Sequence, residues 1–309
     1  MGNEFKGQAG HSAEYFGDTR DHWWNEDFLR LMVQRWQLDG VRDVLDVGSG
    51  VGHWGMLLAS VLGEQARFTG IEREPRWVEL ATSRARGRGL GERFAYRQGE
   101  ATRLPFPDDM FDLVTCQTVL IHLHDPSSAV AEMRRVTRPG GRVVVAEPNN
   151  LAAALLLDSI SNQAPIESIV ELVRFQLTCE RGKVRLGEGD NSLGDRVPGI
   201  FAEQGLIDVE LYVNDKALAV FPPYATAEQR ASVEEERDRF ERGLWIWSES
   251  ETRRYFLAGG GAERDFAECF RRGRAARESI VAGIESGAYH GVMGGAFFMI
   301  GGRKAAAAG

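Results

Sequence analysis

Val44-Leu45-Asp46-Val47-Gly48-Ser49-Gly50-Val51-Gly52-His53-Trp54-Gly55 is the stretch whose reading decides the fold. Val44, Leu45 and Val47 form a short apolar run of β-formers, which predicts a buried strand. Asp46 interrupts that run with a charge that a buried strand tolerates only beside a partner. Glycines at 48, 50 and 52 then let the backbone turn sharply and come close to a ligand. A strand, a glycine turn and a helix start in that order predict a nucleotide-type cofactor site.

Outward from this stretch, residues 40–147 read β-α-β-α-β-β-α-β. The strands fall at 44–47, 68–71, 94–97, 111–116 and 143–146, with helices after the glycine turn, after Pro75 and through Val130, Met133 and Val136. Short apolar strands alternating with helices predict a parallel sheet covered by helices. Upstream, Phe28, Met32 and Trp36 recur at i+4 and predict an amphipathic lead-in helix. Downstream, Asn149 or Asn150 caps a helix from Leu151, and Pro165 opens another. Capping boxes at Thr226–Gln229 and Ser248–Glu251 predict helices over 227–246 and 249–258, and Phe266, Phe270 and Ile280 belong to a third. Strands are expected over 207–221 and 290–300. The expected organisation is an arm and lead-in helix (1–39), a cofactor-binding core (40–150), and cap helices with the last two strands (151–309).

The bulk composition narrows the partners. Across 309 residues the net charge is −8 and the pI about 5.4; an acidic chain repels phosphate backbones, so no nucleic acid is expected. Cys116, Cys179 and Cys269 form no CxxC pair, which argues against a disulfide framework or zinc site and suits a reducing cytoplasm. The histidines make no metal-ligand pattern. The polar start has no apolar signal core, and the run from Leu151 to Leu157 is too short to span a bilayer. The expectation is a cytoplasmic protein without metal or membrane partner, its oligomeric state left open.

Two templates compete for the glycine turn. Gly50 to Gly55 is literally GxGxxG, the dinucleotide fingerprint; Gly48 to Gly52 is GxGxG preceded by an acidic residue. Asp46 favours the second, because its carboxylate repels a diphosphate and welcomes a cationic ligand group. Glu72, ending the second strand, suits ribose hydroxyls under either template. Together with Leu104-Pro105-Phe106-Pro107-Asp108-Asp109-Met110-Phe111-Asp112 and Arg138-Pro139-Gly140-Gly141-Arg142, these residues make residues 40–148 resemble class I S-adenosylmethionine (SAM)-dependent methyltransferases of the UbiE-like small-molecule branch. The resemblance implies a Rossmann-like α/β fold with a seven-stranded sheet, its last strand antiparallel, and SAM at the strand ends.

The resemblance also implies roles by position. Asp46 serves the methionine amino group; Gly48, Gly50 and Gly52 pass under the cofactor; Glu72 binds the ribose, with Arg73 beside it. Glu100, where the family more often has Asp, accepts from the adenine amino group while the Ala101 N–H meets a ring nitrogen. The Gln117 carbonyl faces the methionine ammonium. In the aromatic arm, Tyr15 and Arg20 are candidates to hold the methionine carboxylate; Trp23 and Trp24 either close over the cofactor and acceptor or pack the first helix onto the sheet.

Methyl transfer is an in-line displacement at a carbon already activated by a positive sulfur. The protein must chiefly align the acceptor and exclude water, with a base needed only where the nucleophile carries a proton. His122 is the first candidate base and His22 the second. His124, Glu147, Asn149, Asn150, Tyr212 and Asn214 are candidates for the acceptor side at the ends of strands four to six. Trp245, Trp247, Tyr255 and Phe256 either line a capped pocket or form a helical core. Phe221-Pro222-Pro223-Tyr224 looks like the box of nucleic-acid amino-methyltransferases but stands in the wrong place, far after strand four. The leading expectation is a methyltransferase acting on O, N or C of a small molecule. The alternatives are a SAM-binding regulatory module and a methyltransferase of nucleic acid or protein.

Overall fold

The computed structural model describes residues 18–306. Two compact units make up the chain: residues 24–153, 187–215 and those from Gly295 onward, and the described residues up to Trp23 with 154–186 and 216–294. The first is a sheet unit and the second mainly helical. The lead-in helix and the segment 187–215 therefore belong with the sheet.

The sheet unit holds strands β1 (Asp43–Val47), β2 (Arg67–Glu72), β3 (Phe94–Gln98), β4 (Phe111–Gln117), β5 (Thr137–Asn149) and β6 (Ile207–Val213). The other unit pairs β7 (Leu218–Val220) with β8 (Gly291–Met293), and β9 (Ala296–Arg303) returns to the large sheet. The order is β3-β2-β1-β4-β5-β9-β6. Neighbours among β1 to β5 run parallel, whereas β9 is antiparallel to both β5 and β6. The seven strands and the antiparallel last strand are as the family resemblance implies. The expected strands over 207–221 and 290–300 each divide between the two units. In the second, Gly294 sits at φ +102° between β8 and β9, a backbone that favours glycine.

Helices α1 (Glu26–Arg35), α2 (His53–Leu58), α3 (Pro75–Gly87) and α4 (Pro126–Val136) accompany the parallel strands. The sheet's period of two sends alternate residues to opposite faces. Leu45 and Val47 of β1, Val114 and Cys116 of β4, and Val143 and Val145 of β5 pack in one core with Val130 and Met133 of α4. Asp46 and Thr115 face the other way, towards α2, where Gly55 N–H and Trp54 Nε1 donate to them. Helices thus cover both faces, and the run after Leu151 is a short 3-10 turn (Ala152–Leu155).

The helical unit contains α5 (Ile166–Arg185), α7 (Ala227–Glu241), α8 (Glu249–Ala258) and α9 (Glu263–Glu285); α6 (Val197–Glu203) belongs to the sheet unit. Both capping boxes form. α7 stops at Glu241 and not at 246, because Gly243 takes φ +72° just beyond it. Trp245, Trp247, Tyr255 and Phe256 join Phe175, Cys179, Phe266 and Phe270 in a buried cluster, with the Phe175 and Trp245 rings stacked at 4.5 Å. They are the core of this unit, which resolves the two readings of these aromatics.

Helices α5 and α8 meet backbone to backbone. A Cβ on Gly182 would lie 1.7 Å from the Tyr255 carbonyl oxygen, and one on Gly259 would lie 1.9 Å from that of Thr178. Neither obstacle is a flexible side chain, so the helices must separate to admit a methyl group. Gly182→Ala is expected to destabilise the protein by about 2 kcal/mol or more in urea unfolding. Adding Gly259→Ala should cost less than its effect alone, because the first change has already parted the helices.

Candidate functional site

The site is built from the carboxyl ends of β1, β2, β4 and β5. The glycine turn leaves β1 with Gly48, Gly50 and Gly52 at φ +64°, +50° and +77°. Side chains other than glycine rarely take this backbone conformation. The turn is tied to β2 by Ser49 N–H donating to the Ile71 carbonyl at 2.9 Å and by Gly50 N–H donating to Glu72 Oε2 at 3.0 Å. Glu72 Oε1 in turn accepts from Glu74 N–H at 3.0 Å. The carboxylate is buried and held at both oxygens.

Beneath the turn, register places Asp46, Gly70 and Tyr96 side by side on β1, β2 and β3. Because Gly70 has no side chain, the Tyr96 ring leans across it: a Cβ there would lie 2.3 Å from Tyr96 Cδ1 and 2.8 Å from Ser49 Oγ. The hydroxyl reaches the underside of the turn, 2.4 Å from where a Cβ on Gly52 would stand. Asp46 is 2% exposed. Its Oδ2 accepts from Gly55 N–H at 3.1 Å. Asp46 Oδ1, Ser49 Oγ and Tyr96 Oη are buried without a hydrogen-bond partner among the described residues. Burial, reinforced by the charge of Glu72 and only partly offset by the Gly55 N–H, pushes the Asp46 carboxyl up to about 8.

On the β4–β5 side, Glu147 is fully buried. Its Oε1 accepts the N–H groups of Val119 and Leu120, both at 2.9 Å, and the Cys116 thiol at 3.6 Å. Oε2 has no partner among the described residues. Burial raises this carboxyl to about 7 against the pull of the backbone N–H groups. Thr118 takes φ +53°, and Val119 then covers the start of the glycine turn, 2.6 Å from where a Cβ on Gly48 would stand. Gln117 Nε2 is buried and without a partner among the described residues.

The structure brings together Asp46, Gly48, Gly50, Gly52, Glu72 and Gln117. Glu100 and Ala101 form the turn after β3, where Glu100 is exposed and bridged to Arg103. Arg73 is exposed, and its carbonyl accepts from Gln98 Nε2 at 2.9 Å. His122 and His124 are exposed just after β4. Asn149 Oδ1 accepts from Ala152 N–H while its Nδ2 donates to Asp195; Asn150 Nδ2 donates to the Asn191 carbonyl. Asn149 is therefore the cap. Asn214 N–H donates to the Phe297 carbonyl.

Two expectations are corrected, and for Trp24 the ring contacts favour the packing alternative. Glu147 does not present its carboxyl to an acceptor; the backbone after β4 takes it. Tyr212 packs its ring on Trp36 at 5.8 Å beneath the Arg35 guanidinium, with its hydroxyl on Glu210, because strand alternation turns it towards α1. Trp24 is a packing residue, its ring 5.2 Å from Trp54 and 6.1 Å from Phe297. Arg20, His22 and Trp23 belong to the helical unit, with the Arg20 guanidinium 5.5 Å from the Trp23 ring. Tyr15 lies outside the described residues. Ser49, Tyr96 and Val119 were not singled out by the sequence; a tyrosine in the strand beside a lone glycine was the available signal for one of them.

Comparison with known proteins agrees with this geometry. Residues 39–205 match a family model described as a methyltransferase domain. The chain is 34% identical over 136 residues to the uncharacterized methyltransferase YcgJ of Bacillus subtilis, a match covering 44% of this chain and 52% of that one. It is 36% identical over 125 residues to the demethylmenaquinone methyltransferase of Geobacillus kaustophilus, covering 40% and 51%. The chain spans about half the length of these curated relatives. The crystal structure of the Bacillus YcgJ protein shares the fold, with a TM-score of 0.51 at 20% identity over 91% of this chain and 99% of that one. With more than half of its length matched by the model over 39–205, the chain belongs to the methyltransferase-domain family.

Proposed function

We propose that this chain is a SAM-dependent methyltransferase that transfers a methyl group to O, N or C of a small molecule. The observation that carries the reading is the buried Asp46 carboxylate, with one oxygen unpartnered, under a turn of three left-handed glycines. A phosphate-bearing dinucleotide does not suit that carboxylate; an ammonium does. The residues present fit SAM. Asp46 takes the ammonium of the methionine part, with the Gln117 carbonyl beside it. Glu72, fixed by Gly50 and Glu74, takes the ribose hydroxyls, and the turn at Glu100 and Ala101 takes the adenine edge. When bound, SAM supplies a methyl group on a positive sulfur, already activated for displacement.

The protein's work is then to align the acceptor and keep water out. The exposed imidazole of His122, next after β4, is the candidate base for an acceptor that must lose a proton. Similarity to demethylmenaquinone methyltransferases supports a small-molecule acceptor, and the net charge of −8 disfavours nucleic acid. Among the described residues no helix is long and apolar enough to cross a membrane, and no cluster of His, Cys, Asp and Glu is placed to hold a metal ion.

Two measurements test the reading. Below pH 8 the free Asp46 holds a proton that must leave before it pairs with an ammonium, so SAM affinity rises as pH approaches 8. Above that, the free cofactor's own amino group, whose ordinary range is about 7.7–8.0, loses its proton. Isothermal titration is expected to give a bell-shaped affinity profile with its top near pH 8. Asp46→Asn should bind SAM at least about tenfold more weakly and lose the limb that Asp46 sets. Equal affinity in the variant would sink the assignment. A labelled-methyl screen over metabolites tests transfer itself; binding without transfer to any acceptor class favours the regulatory module. For an acceptor that loses a proton, His122→Ala should slow transfer about 100-fold or more with SAM affinity unchanged, and an unchanged rate removes His122 as the base.

A further inference from the structure

We infer that Glu147 is a positioning residue: through the backbone of the turn after β4 it shapes the mouth of the glycine turn and makes cofactor binding depend on its own proton. This deepens the SAM-binding reading and rests on it. The chain of contacts is short. Glu147 Oε1 accepts two N–H groups, from Val119 and Leu120, across 28 and 27 residues of sequence. Those two residues directly follow Thr118, which is held at φ +53°, and Gln117, whose carbonyl is assigned to the ammonium. Val119 sets its methyl groups against Gly48. The first glycine of the turn and the Gln117 carbonyl are therefore placed by one buried carboxylate that itself touches neither.

The surroundings favour control by charge over simple support. A structural acceptor of backbone N–H groups needs no charge, since a carbonyl would do. Here the second oxygen is buried without a partner among the described residues, which makes the ionised form costly. The backbone N–H groups of Leu120, Val119 and Ile121 and the Cys116 thiol favour that form in return. The balance leaves the carboxyl titrating at about 7. Cys116 on β4 is the titratable group facing it; burial first, then the charges of Glu147 and Asp46, hold its thiol far above the ordinary range, so it stays protonated and donates. β9 sets Phe298 opposite Glu147, and the segment before α6 sets Gly194 against its carbonyl, 2.4 Å from where a Cβ would stand. Neither adds a charge.

The sign follows. Above pH 7 the ionised Glu147 grips the two N–H groups and the turn is tight. Below pH 7 the proton weakens both bonds and the turn loosens. The cationic cofactor binds the tight, ionised form better, so affinity falls with pH at Glu147 in addition to the fall at Asp46. With two coupled protons the affinity of the unmodified protein drops by more than about tenfold per pH unit below 7, against at most about tenfold for one. Glu147→Gln keeps an oxygen for the two N–H groups and removes the titration.

The test is SAM titration from pH 5.5 to 8 on both proteins, with amide hydrogen exchange of the unmodified protein over the same range. The inference expects the variant's acid limb to be no steeper than about tenfold per unit and the Val119 and Leu120 amides to lose protection below pH 7, after correction for intrinsic exchange. Identical limbs, or protection at these amides independent of pH, overturn it. The exchange measurement needs neither the variant nor the cofactor, so it decides the matter if Glu147→Gln does not fold. Absence of SAM binding by the unmodified protein at every pH overturns the cofactor reading instead.

Discussion

A carboxylate buried in the middle of a parallel sheet is the constraint on which the sheet unit depends. Placing Asp46 on β1 with both neighbouring strands paired removes it from water, at a cost of several kcal/mol for an ionised group. The immediate surroundings are arranged for it. α2 approaches closely enough for the Gly55 N–H to donate, and a Cβ on Gly55 would stand 3.0 Å from the same oxygen. β2 offers Gly70 at the paired position, so the neighbouring strand brings no bulk against the carboxylate and Tyr96 can lean in from β3. The sheet accommodates the charge with small residues and polar atoms, and leaves one oxygen over. An ordinary structural acid would have been given a second donor; Asp112 shows this, taking the N–H groups of Arg42 and Asp43 and the guanidinium of Arg138.

Topology puts that oxygen where a ligand can use it. The strand order reverses at β1, with β2 and β3 on one side and β4 and β5 on the other. In such sheets the crevice at the carboxyl ends beside the reversal is the place ligands occupy. The glycine turn leaves β1 at this crevice and the Glu147-anchored turn leaves β4 beside it. β9 then runs back antiparallel between β5 and β6 over eight paired positions on β5, which encloses β5 and buries the far flank of the site.

What the sequence made legible was local. Asp46, the three glycines and Glu72 stand within one strand-turn-helix pattern, and periodicity gave the strands because apolar runs of that length have few other readings. The proline-aspartate run was also legible as a motif, but its role is mechanical: Arg135 of α4 donates to the carbonyls of Leu104 and Phe106 and pairs with Asp108 and Glu132. What stayed hidden depended on partners distant in sequence. Glu147 announced a carboxylate at the end of a strand; that its partners are backbone N–H groups after β4 is a fact of register. Tyr212 stood at a strand end with the right chemistry and the wrong face. Trp245 and Trp247 had aromatic spacing that does not say whether a stripe faces a ligand or its own core, and the contacts with Phe175 and Tyr255 settle it.

Asp46 and Glu147 share one design. Each stands near the carboxyl end of a buried strand, each gives one oxygen to backbone N–H donors (Asp46 to Gly55 of the helix after its own strand, Glu147 to the turn after β4), and each keeps the other oxygen buried without a partner among the described residues. They lie on opposite faces of the sheet, by the parity that separates Asp46 from Leu45 and joins Glu147 to Val145. Burial makes both charges expensive, and that expense is useful only if something restores it on binding. On the proposed reading a cationic ligand at the strand ends does so for both, directly at Asp46 and through the turn at Glu147. A neutral or anionic ligand would leave both protonated and the turn slack. The proposed preference for a positive cofactor is thus a property of the sheet's interior as much as of the residues assigned to touch the ligand.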